Sequence, residues 1–158
     1  MGELIAMREE LAAANQNKAF AVNVPTMNLG CMRAGDNPNR ICGHAALQID
    51  LRLLPGMDSE AIHEALERRV AAVVENTGVS LQLHKAYPPI PPFQSDPNGE
   101  LLLTLSGLSG NQPCTVAFGT EAHFMQTLGM ETVIWGPGSI DQAHQPNEYL
   151  DKAQLAPA

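Results

Sequence analysis

The sequence has few cysteines, no long apolar run and few basic residues. Its three cysteines, Cys31, Cys42 and Cys114, are an odd set without a CxxC pair. A disulfide framework or a zinc knuckle is therefore disfavoured, and reduced thiols in a cytoplasmic protein are favoured. No apolar stretch approaches the roughly 18 residues of a membrane span. The first ten residues have no apolar core, which argues against a signal peptide.

The shortage of basic residues gives the chain an acidic balance. Nine Lys and Arg residues stand against 17 Asp and Glu residues, for a formal net charge of −8. This charge repels nucleic acid and anionic membranes, and no basic stripe offsets it, so we expect neither as a partner. The 158 residues, 44% of them hydrophobic, suit one ordinary domain or two small ones.

The first half of the chain combines helical spacing with period-two alternation. The clearest alternation runs from Ile41 to Leu53 and predicts a half-buried strand. A loop is expected over residues 31–40. The patterns predict helix, strand, strand, helix and strand, in that order, over residues 2–15, 20–30, 41–53, 59–77 and 79–84. This order is that of a ferredoxin-like βαββαβ unit that lacks its first strand.

The second half begins at a stiff segment with four prolines over residues 87–93. We therefore predict two domains, 1–87 and 88–158. Beyond the boundary, the patterns predict a helix from Asp96 to Gly107 and a helix that Thr120 caps, with Ala122, Met125 and Leu128 facing inward. They also predict short strands over residues 116–118 and 131–135. Alternating helices and strands indicate part of an α/β sheet.

The second short strand runs into a Gly-Pro-Gly turn, and His144 follows in a polar segment. A strand, a tight turn and a histidine place an imidazole at the carboxyl end of a sheet, where ligands bind in α/β folds. Imidazole nitrogen is a common metal ligand. The alternative is an ordinary surface histidine, which is the more frequent role for an isolated loop histidine.

Four blocks of the sequence together form a specific pattern: NVPTMNLG (23–30), DNPNRICGHAALQIDLRLLPGM (36–57), PPIPPF (88–93) and FGTEAHFMQTLGMETVIWGPGSIDQAHQPNEYL (118–150). In order and at about the expected spacing, they resemble the acetylornithine deacetylase family of metallopeptidases. The family also has sister enzymes such as succinyl-diaminopimelate desuccinylase, which share the DLR strand and the terminal histidine. The TEA and GPGSIDQAHQPNEY motifs are closer to the acetylornithine branch.

The resemblance implies a two-domain amidohydrolase with two Zn²⁺ ions per active site, which Co²⁺ can replace. It implies hydrolysis of N2-acetyl-L-ornithine to ornithine and acetate, a step of arginine biosynthesis, in the cytoplasm. In this scheme residues 88–158 belong to the α/β catalytic domain that holds the metals. Residues 1–87 belong to a ferredoxin-like lid domain that forms a homodimer.

The resemblance also assigns roles in the terminal loop. His144 matches the last metal ligand, and Glu148 is a candidate carboxylate that orients it; an exposed loop glutamate is the alternative. Gly136 and Gly138 are candidates to present backbone N–H groups to the substrate carboxylate. The alternative for both glycines is a turn that needs positive φ.

Three further residues are candidates for substrate binding. Glu121, at the start of a helix, is placed to pair with the substrate's side-chain ammonium; stabilisation of the helix N-terminus is the alternative. Asn39 and Arg52 match lid positions implicated in gripping the substrate across the dimer. The alternatives are a turn residue for Asn39 and a surface pair with Asp50 for Arg52.

The family's other metal ligands, its general base and its lid histidine have no counterpart in this sequence, so no catalytic residue is assigned. A catalytic zinc needs about three protein ligands. We therefore expect the chain alone to be inactive, with the missing groups in an N-terminal region. A dimerisation module without catalytic activity and a related N-acyl amino acid amidohydrolase remain alternatives, and an unrelated small α/β binding domain is a third.

Overall fold

The computed structural model describes residues 1–155, in which four α-helices accompany one sheet of two strands. This mixed architecture of helices and a small sheet confirms the predicted fold class to the extent of a partial ferredoxin-like lid. Two 3₁₀ turns cover Ile140–Gln142 and Lys152–Gln154. The longer elements are α1 (Gly2–Ala14), β1 (Thr26–Ala34), β2 (Ala45–Arg52), α2 (Ser59–Val74), α3 (Glu100–Ser109) and α4 (Ala122–Thr127).

The two strands form an antiparallel hairpin in which Thr26 pairs with Arg52 and Ala34 with Ala45. The register shifts between Leu29 and Cys31, which marks a bulge on β1. Along β2, Leu47, Ile49 and Leu51 are half-buried, whereas their neighbours are exposed. The predicted alternation is therefore confirmed within β2.

The core lies where α1, α2 and β1 meet. Its buried members are Leu4 and Met7 of α1, Met27 of β1 and Leu66 of α2. The half-buried residues of β2 pack against this cluster. At the surface, Arg69 of α2 forms ion pairs with Glu3 and Glu10 of α1. Burial of apolar side chains from both helices and one strand thus stabilises the hairpin, which would be marginal alone.

The predicted bounds of both strands are wrong. A strand was expected from Phe20, but β1 begins after Pro25, because a turn at Asn17 occupies the preceding residues: Asn17 Oδ1 accepts from the Ala19 N–H at 3.0 Å. The expected loop over residues 31–40 is also shifted, since β1 continues to Ala34. Ile41, predicted to lie in the second strand, is 99% exposed and precedes β2.

Three predicted strands, over residues 79–84, 116–118 and 131–135, are absent from the described chain. Their apolar patterns suit strands, but a strand also needs a neighbouring backbone to complete its hydrogen bonds. Within residues 1–155, β1 and β2 pair only with each other. Within the described residues, these three segments therefore form no hydrogen-bonded ladder with another strand.

Helix bounds also differ from expectation. α2 ends at Val74, several residues before Gly78, and Asn76 takes a positive φ of 60°. α3 begins at Glu100 because Asp96 forms a turn, in which its Oδ1 accepts from the Asn98 N–H at 2.9 Å. The predicted inward faces of Met125 and Leu128 are wrong: these side chains are 43% and 71% exposed.

The chain divides into two compact units. The first comprises Met1–Pro92 with Thr115–Gly119, and the second comprises Phe93–Cys114 with the chain from Thr120 onward. A hydrogen bond from Thr115 Oγ1 to the Ala19 carbonyl, 2.8 Å long, ties the returning segment to the first unit. The division into a lid domain at 1–87 and a catalytic segment at 88–158 stays a prediction.

Across residues 1–155, every helix is too short or too polar to cross a bilayer.

We predict that Asp58→Ala lowers the free energy of unfolding by about 1 kcal/mol, because Asp58 caps α2. Its Oδ1 accepts from the backbone N–H groups of Glu60 at 2.9 Å and Ala61 at 3.2 Å. Urea unfolding followed by circular dichroism at 222 nm measures the change. Asp58→Asn is the matched control and retains the stability, since asparagine caps as well as aspartate does. Equal losses in both variants would contradict a capping role.

Candidate functional site

The terminal loop that carries His144 is built from turns. Ser139 begins the 3₁₀ turn, and its Oγ accepts from the Asp141 N–H at 3.3 Å. Two non-glycine residues then take positive φ, His144 at 60° and Asn147 at 64°. Left-handed backbone at a residue other than glycine is uncommon and marks a locally constrained conformation. The loop therefore has a specific backbone path at the candidate ligand.

Glu148 supports that path through the backbone. The His144 N–H donates to Glu148 Oε2 at 3.1 Å, and the Glu148 N–H donates to the Gln145 carbonyl at 3.1 Å. The described hydrogen bond thus reaches the main chain of His144 and not its ring. His144 itself is exposed, so its imidazole is accessible to a group brought from elsewhere.

The two glycines of the turn differ in conformation. Gly138 has a φ of 114°, whereas the φ of Gly136 lies outside the positive region. A Cβ added at Gly138 would lie 3.5 Å from Leu150 Cδ1, and a Cβ at Gly136 would meet nothing within 4 Å. The turn alternative therefore applies at Gly138, where only glycine is unstrained.

Glu121 occupies the position before α4, and its side chain makes no capping hydrogen bond. Thr120 takes that role, because its Oγ1 accepts from the Ala122 N–H at 3.2 Å. Glu121 is exposed. Its carboxylate therefore does not cap the helix and is available to bind a cation.

Asn39 and Arg52 lie in the first unit. Each makes the local contact expected of its alternative role, which is a turn for Asn39 and a surface ion pair for Arg52. The Asn39 N–H donates to Asn37 Oδ1 at 3.2 Å, which places Asn39 in a turn. Arg52 Nε donates to Asp50 Oδ2 at 2.9 Å, and Arg52 Nη1 donates to the Ala117 carbonyl oxygen at 3.4 Å. The Arg52 side chain is 67% exposed, so its pair with Asp50 is open to competition by another carboxylate.

The described residues do not by themselves fit a zinc ion. Among residues 1–155, no three His, Cys, Asp or Glu side chains come together as a possible metal site. The carboxylate of Glu148 accepts a hydrogen bond from the backbone N–H of His144. A catalytic zinc with about three protein ligands therefore needs donors from outside these residues.

One buried histidine was not among the predicted site residues. His123 of α4 is 6% exposed, and its Nδ1 has no hydrogen-bond partner among the described residues. Its ring centroid lies 3.7 Å from that of Phe124. The expected inward face of this helix was Ala122, Met125 and Leu128, whereas Ala122 and His123 are the buried pair. A six-residue helix is too short for periodicity to identify its inward face reliably.

We predict that Gly138→Ala destabilises the terminal loop by about 1–3 kcal/mol, because alanine resists its backbone conformation. Gly136→Ala is the matched control, since it meets open space at an ordinary φ. Limited proteolysis of both variants, with cleavage sites assigned by mass spectrometry, measures loop opening. Faster cleavage between residues 136 and 150 is expected for Gly138→Ala alone. Indistinguishable cleavage would contradict the strain argument.

Comparison with known proteins agrees with the sequence motifs. Residues 1–78 match the peptidase dimerisation domain of the M20 family. Acetylornithine deacetylases of Salmonella arizonae, Salmonella paratyphi B and Salmonella newport are each 40% identical over 157 residues, which is 99% of this chain and 41% of each relative. The chain thus spans about two fifths of the length of these relatives. The chain is thus similar to acetylornithine deacetylases along nearly its whole length, and its first 78 residues are similar to the peptidase dimerisation domain.

Proposed function

We propose that this chain is part of a metal-dependent amidohydrolase that converts N2-acetyl-L-ornithine to ornithine and acetate. The observation that carries the proposal is 40% identity to acetylornithine deacetylases over 157 residues, a span that includes both units. Arginine biosynthesis in the cytoplasm is the corresponding setting. A related N-acyl amino acid, such as a succinylated diamino acid, is the alternative substrate.

His144 is proposed as one metal ligand of the complete site. It is exposed, and the hydrogen bond from its backbone to Glu148 holds the loop that presents it. The other ligands and the general base would come from polypeptide outside residues 1–158. Zn²⁺ is the proposed metal, with two ions per site, and Co²⁺ is a substitute.

Several residues of the chain are proposed to hold the substrate. Glu121 would accept the side-chain ammonium, since its exposed carboxylate is free of the helix cap. The backbone near Gly136 and Gly138 would bind the carboxylate of the substrate. Asn39 and Arg52 are proposed separately as residues that grip the substrate. Arg52 would exchange its pair with Asp50 for the substrate, which its exposure permits.

The first unit is proposed to form a homodimer, because residues 1–78 match a peptidase dimerisation domain. A second candidate function follows from the same match. The described residues bring no three potential metal ligands together, so the chain by itself would be a dimerisation module without catalytic activity.

A chimera tests the proposed function. This chain would replace the matched 41% of the Salmonella arizonae acetylornithine deacetylase, and deacetylation of N2-acetyl-L-ornithine would be followed with added Zn²⁺ or Co²⁺. We expect metal-dependent activity in the chimera and none in the isolated chain. Activity of the isolated chain would contradict our account of the missing ligands. A folded but inactive chimera would contradict the proposed reaction.

Within the active chimera, His144→Ala is expected to lower both bound metal and the deacetylation rate by about 100-fold or more, beyond the 10–100-fold typical for residues that only orient a ligand. Metal content is measured by inductively coupled plasma mass spectrometry on the dialysed protein. His84→Ala changes an exposed histidine of the first unit and is the control. Unchanged metal content and rate in His144→Ala would refute the ligand assignment.

Glu121→Gln in the chimera is expected to raise KM for acetylornithine about tenfold, the equivalent of one lost ion pair of about 1.4 kcal/mol. Acetylmethionine has no side-chain ammonium, so its kcat/KM should stay the same. Steady-state kinetics with both substrates give the comparison. Equal effects on the two substrates would assign Glu121 a structural role instead.

A further inference from the structure

Residues 131–135, here called the entry segment, lead from α4 into the terminal loop without forming a strand. Within residues 1–155, no backbone-to-backbone hydrogen bond involves residues 131–138. The Gly-Pro-Gly turn begins directly after the entry segment, at Gly136. The hydrogen bonds that hold the entry segment therefore involve side chains, and they determine where the terminal loop starts.

Glu131, the first residue of the entry segment, contacts the start of α3. Its Oε1 accepts from the Leu101 N–H at 2.8 Å. The first N–H groups of a helix have no partner within the helix, and Gly99, the residue before α3, has no side chain to cap them. A carboxylate at this end also interacts favourably with the helix dipole. Glu131 therefore caps α3 from a position 30 residues away in the sequence.

Gly99 provides the space that the Glu131 carboxylate occupies. A Cβ built at Gly99 would overlap Oε1 of Glu131 and would lie 3.0 Å from its Cδ. The backbone of Gly99 has φ −64° and ψ 141°, which L-amino acids commonly adopt. Glycine is therefore needed here for room and not for conformation. A methyl group would displace the carboxylate, which is the flexible end of an exposed side chain.

Two further hydrogen bonds join the entry segment and α4 to the residues just before α3. Ser95 Oγ donates to the Thr132 carbonyl at 2.9 Å, and Gln126 Nε2 of α4 donates to the Gln94 carbonyl at 3.0 Å. All the residues involved belong to the second unit. The first two residues of the entry segment are therefore both tied to the region where α3 begins.

We propose that Glu131 is a positioning residue. Its carboxylate holds the entry segment against the start of α3 and thereby fixes where the terminal loop with His144 begins, and Gly99 keeps the place of that carboxylate open. The contact needs neither metal nor substrate, so this role goes beyond the proposed hydrolysis. Only its effect on catalysis rests on the proposed function, and that effect is tested separately.

Trp135, the single tryptophan of the chain, ends the entry segment and reports its mobility. Time-resolved fluorescence anisotropy of the whole chain separates fast local motion from overall tumbling. We expect Glu131→Ala to increase the amplitude of the fast component at least about twofold, because the entry segment loses its bond to α3. Far-ultraviolet circular dichroism verifies that the variant is folded. An unchanged fast component in the folded variant would overturn the proposal.

Two variants separate the hydrogen bond from the charge. Glu131→Gln removes the charge but keeps an Oε1 that accepts from the Leu101 N–H, so its anisotropy should match that of the parent chain. Glu100→Ala removes another acid from the same helix end, and the Glu100 side chain forms no hydrogen bond or ion pair within the described residues. It should also match the parent. Mobility like that of Glu131→Ala in either variant would overturn the proposal.

Hydrogen exchange followed by NMR locates the lost contact. The Leu101 amide should exchange at least about tenfold faster in Glu131→Ala, since Glu131 Oε1 is its described acceptor. In Glu131→Gln its exchange should stay within about threefold of the parent, because the amide oxygen replaces the carboxylate oxygen. Unaltered exchange at Leu101 in Glu131→Ala would contradict the capping contact and overturn the proposal.

Gly99→Ala gives a second, independent test. The added methyl group should displace the carboxylate, so this variant should reproduce the Trp135 mobility of Glu131→Ala. In a chain that already carries Glu131→Ala, the same change should add nothing, because no carboxylate remains to be displaced. The methyl group would lie 3.1 Å from the Asp96 carbonyl oxygen in both backgrounds, so that close contact cancels in the comparison. Additive effects of the two substitutions would overturn the proposal.

Kinetics in the active chimera test the effect on catalysis. Glu131→Ala should lower kcat/KM for acetylornithine and for acetylmethionine by the same factor, about tenfold, the lower end of the range for residues that orient a ligand. Both substrates depend on the same loop, whereas the loss of an ammonium partner would affect acetylornithine alone. Unchanged kinetics, or a loss confined to acetylornithine, would overturn the positioning role. An inactive parent chimera would contradict the proposed function, and the anisotropy and exchange results would still decide the role of Glu131.

Discussion

The backbone ladder between β1 and β2 is the interaction on which the described fold depends. It aligns Met27 with the apolar side of β2, and this alignment gives α1 and α2 one surface to pack against. A two-stranded ladder is marginal in water, so the helices that cover it are as necessary as the hydrogen bonds themselves. A strand needs a neighbouring backbone for its hydrogen bonds, which explains why residues 79–84 do not form one.

The candidate site shows a related division between local and nonlocal structure. His144 and Glu148 are positioned by turns, and the hydrogen bonds described for these turns join residues that are close in the sequence. A metal centre needs several ligands brought together, and the described residues bring no three potential ligands together. The proposed role of His144 therefore depends on further ligands, whereas the turns around it are already formed. Within the part of the chain that the structure describes, the buried Nδ1 of His123 also has no hydrogen-bond partner.

Sequence patterns were most informative where one local signal was sufficient. The helix predicted over residues 2–15, the helix that begins at Ser59 and the alternation within Ala45–Arg52 were all recognisable. The start of β1 and the start of α3 were misplaced, because Asn17 and Asp96 hold turns whose side-chain hydrogen bonds compete with regular structure. The two glycines of the terminal loop looked equivalent in sequence, yet Gly138 alone has positive φ.

The sequence by itself determined the family resemblance, the amphipathic patterns and the turn residues, because each of these depends on residues close together in the chain. The tertiary structure decided which apolar alternations became strands, which face of α4 is buried and what Arg52 and Glu148 contact. These outcomes depend on partners distant in sequence: a strand needs a second backbone, and a buried face needs a surface to cover it. The physical reason is that hydrogen bonding and burial are properties of pairs of segments, whereas a sequence pattern describes one segment at a time.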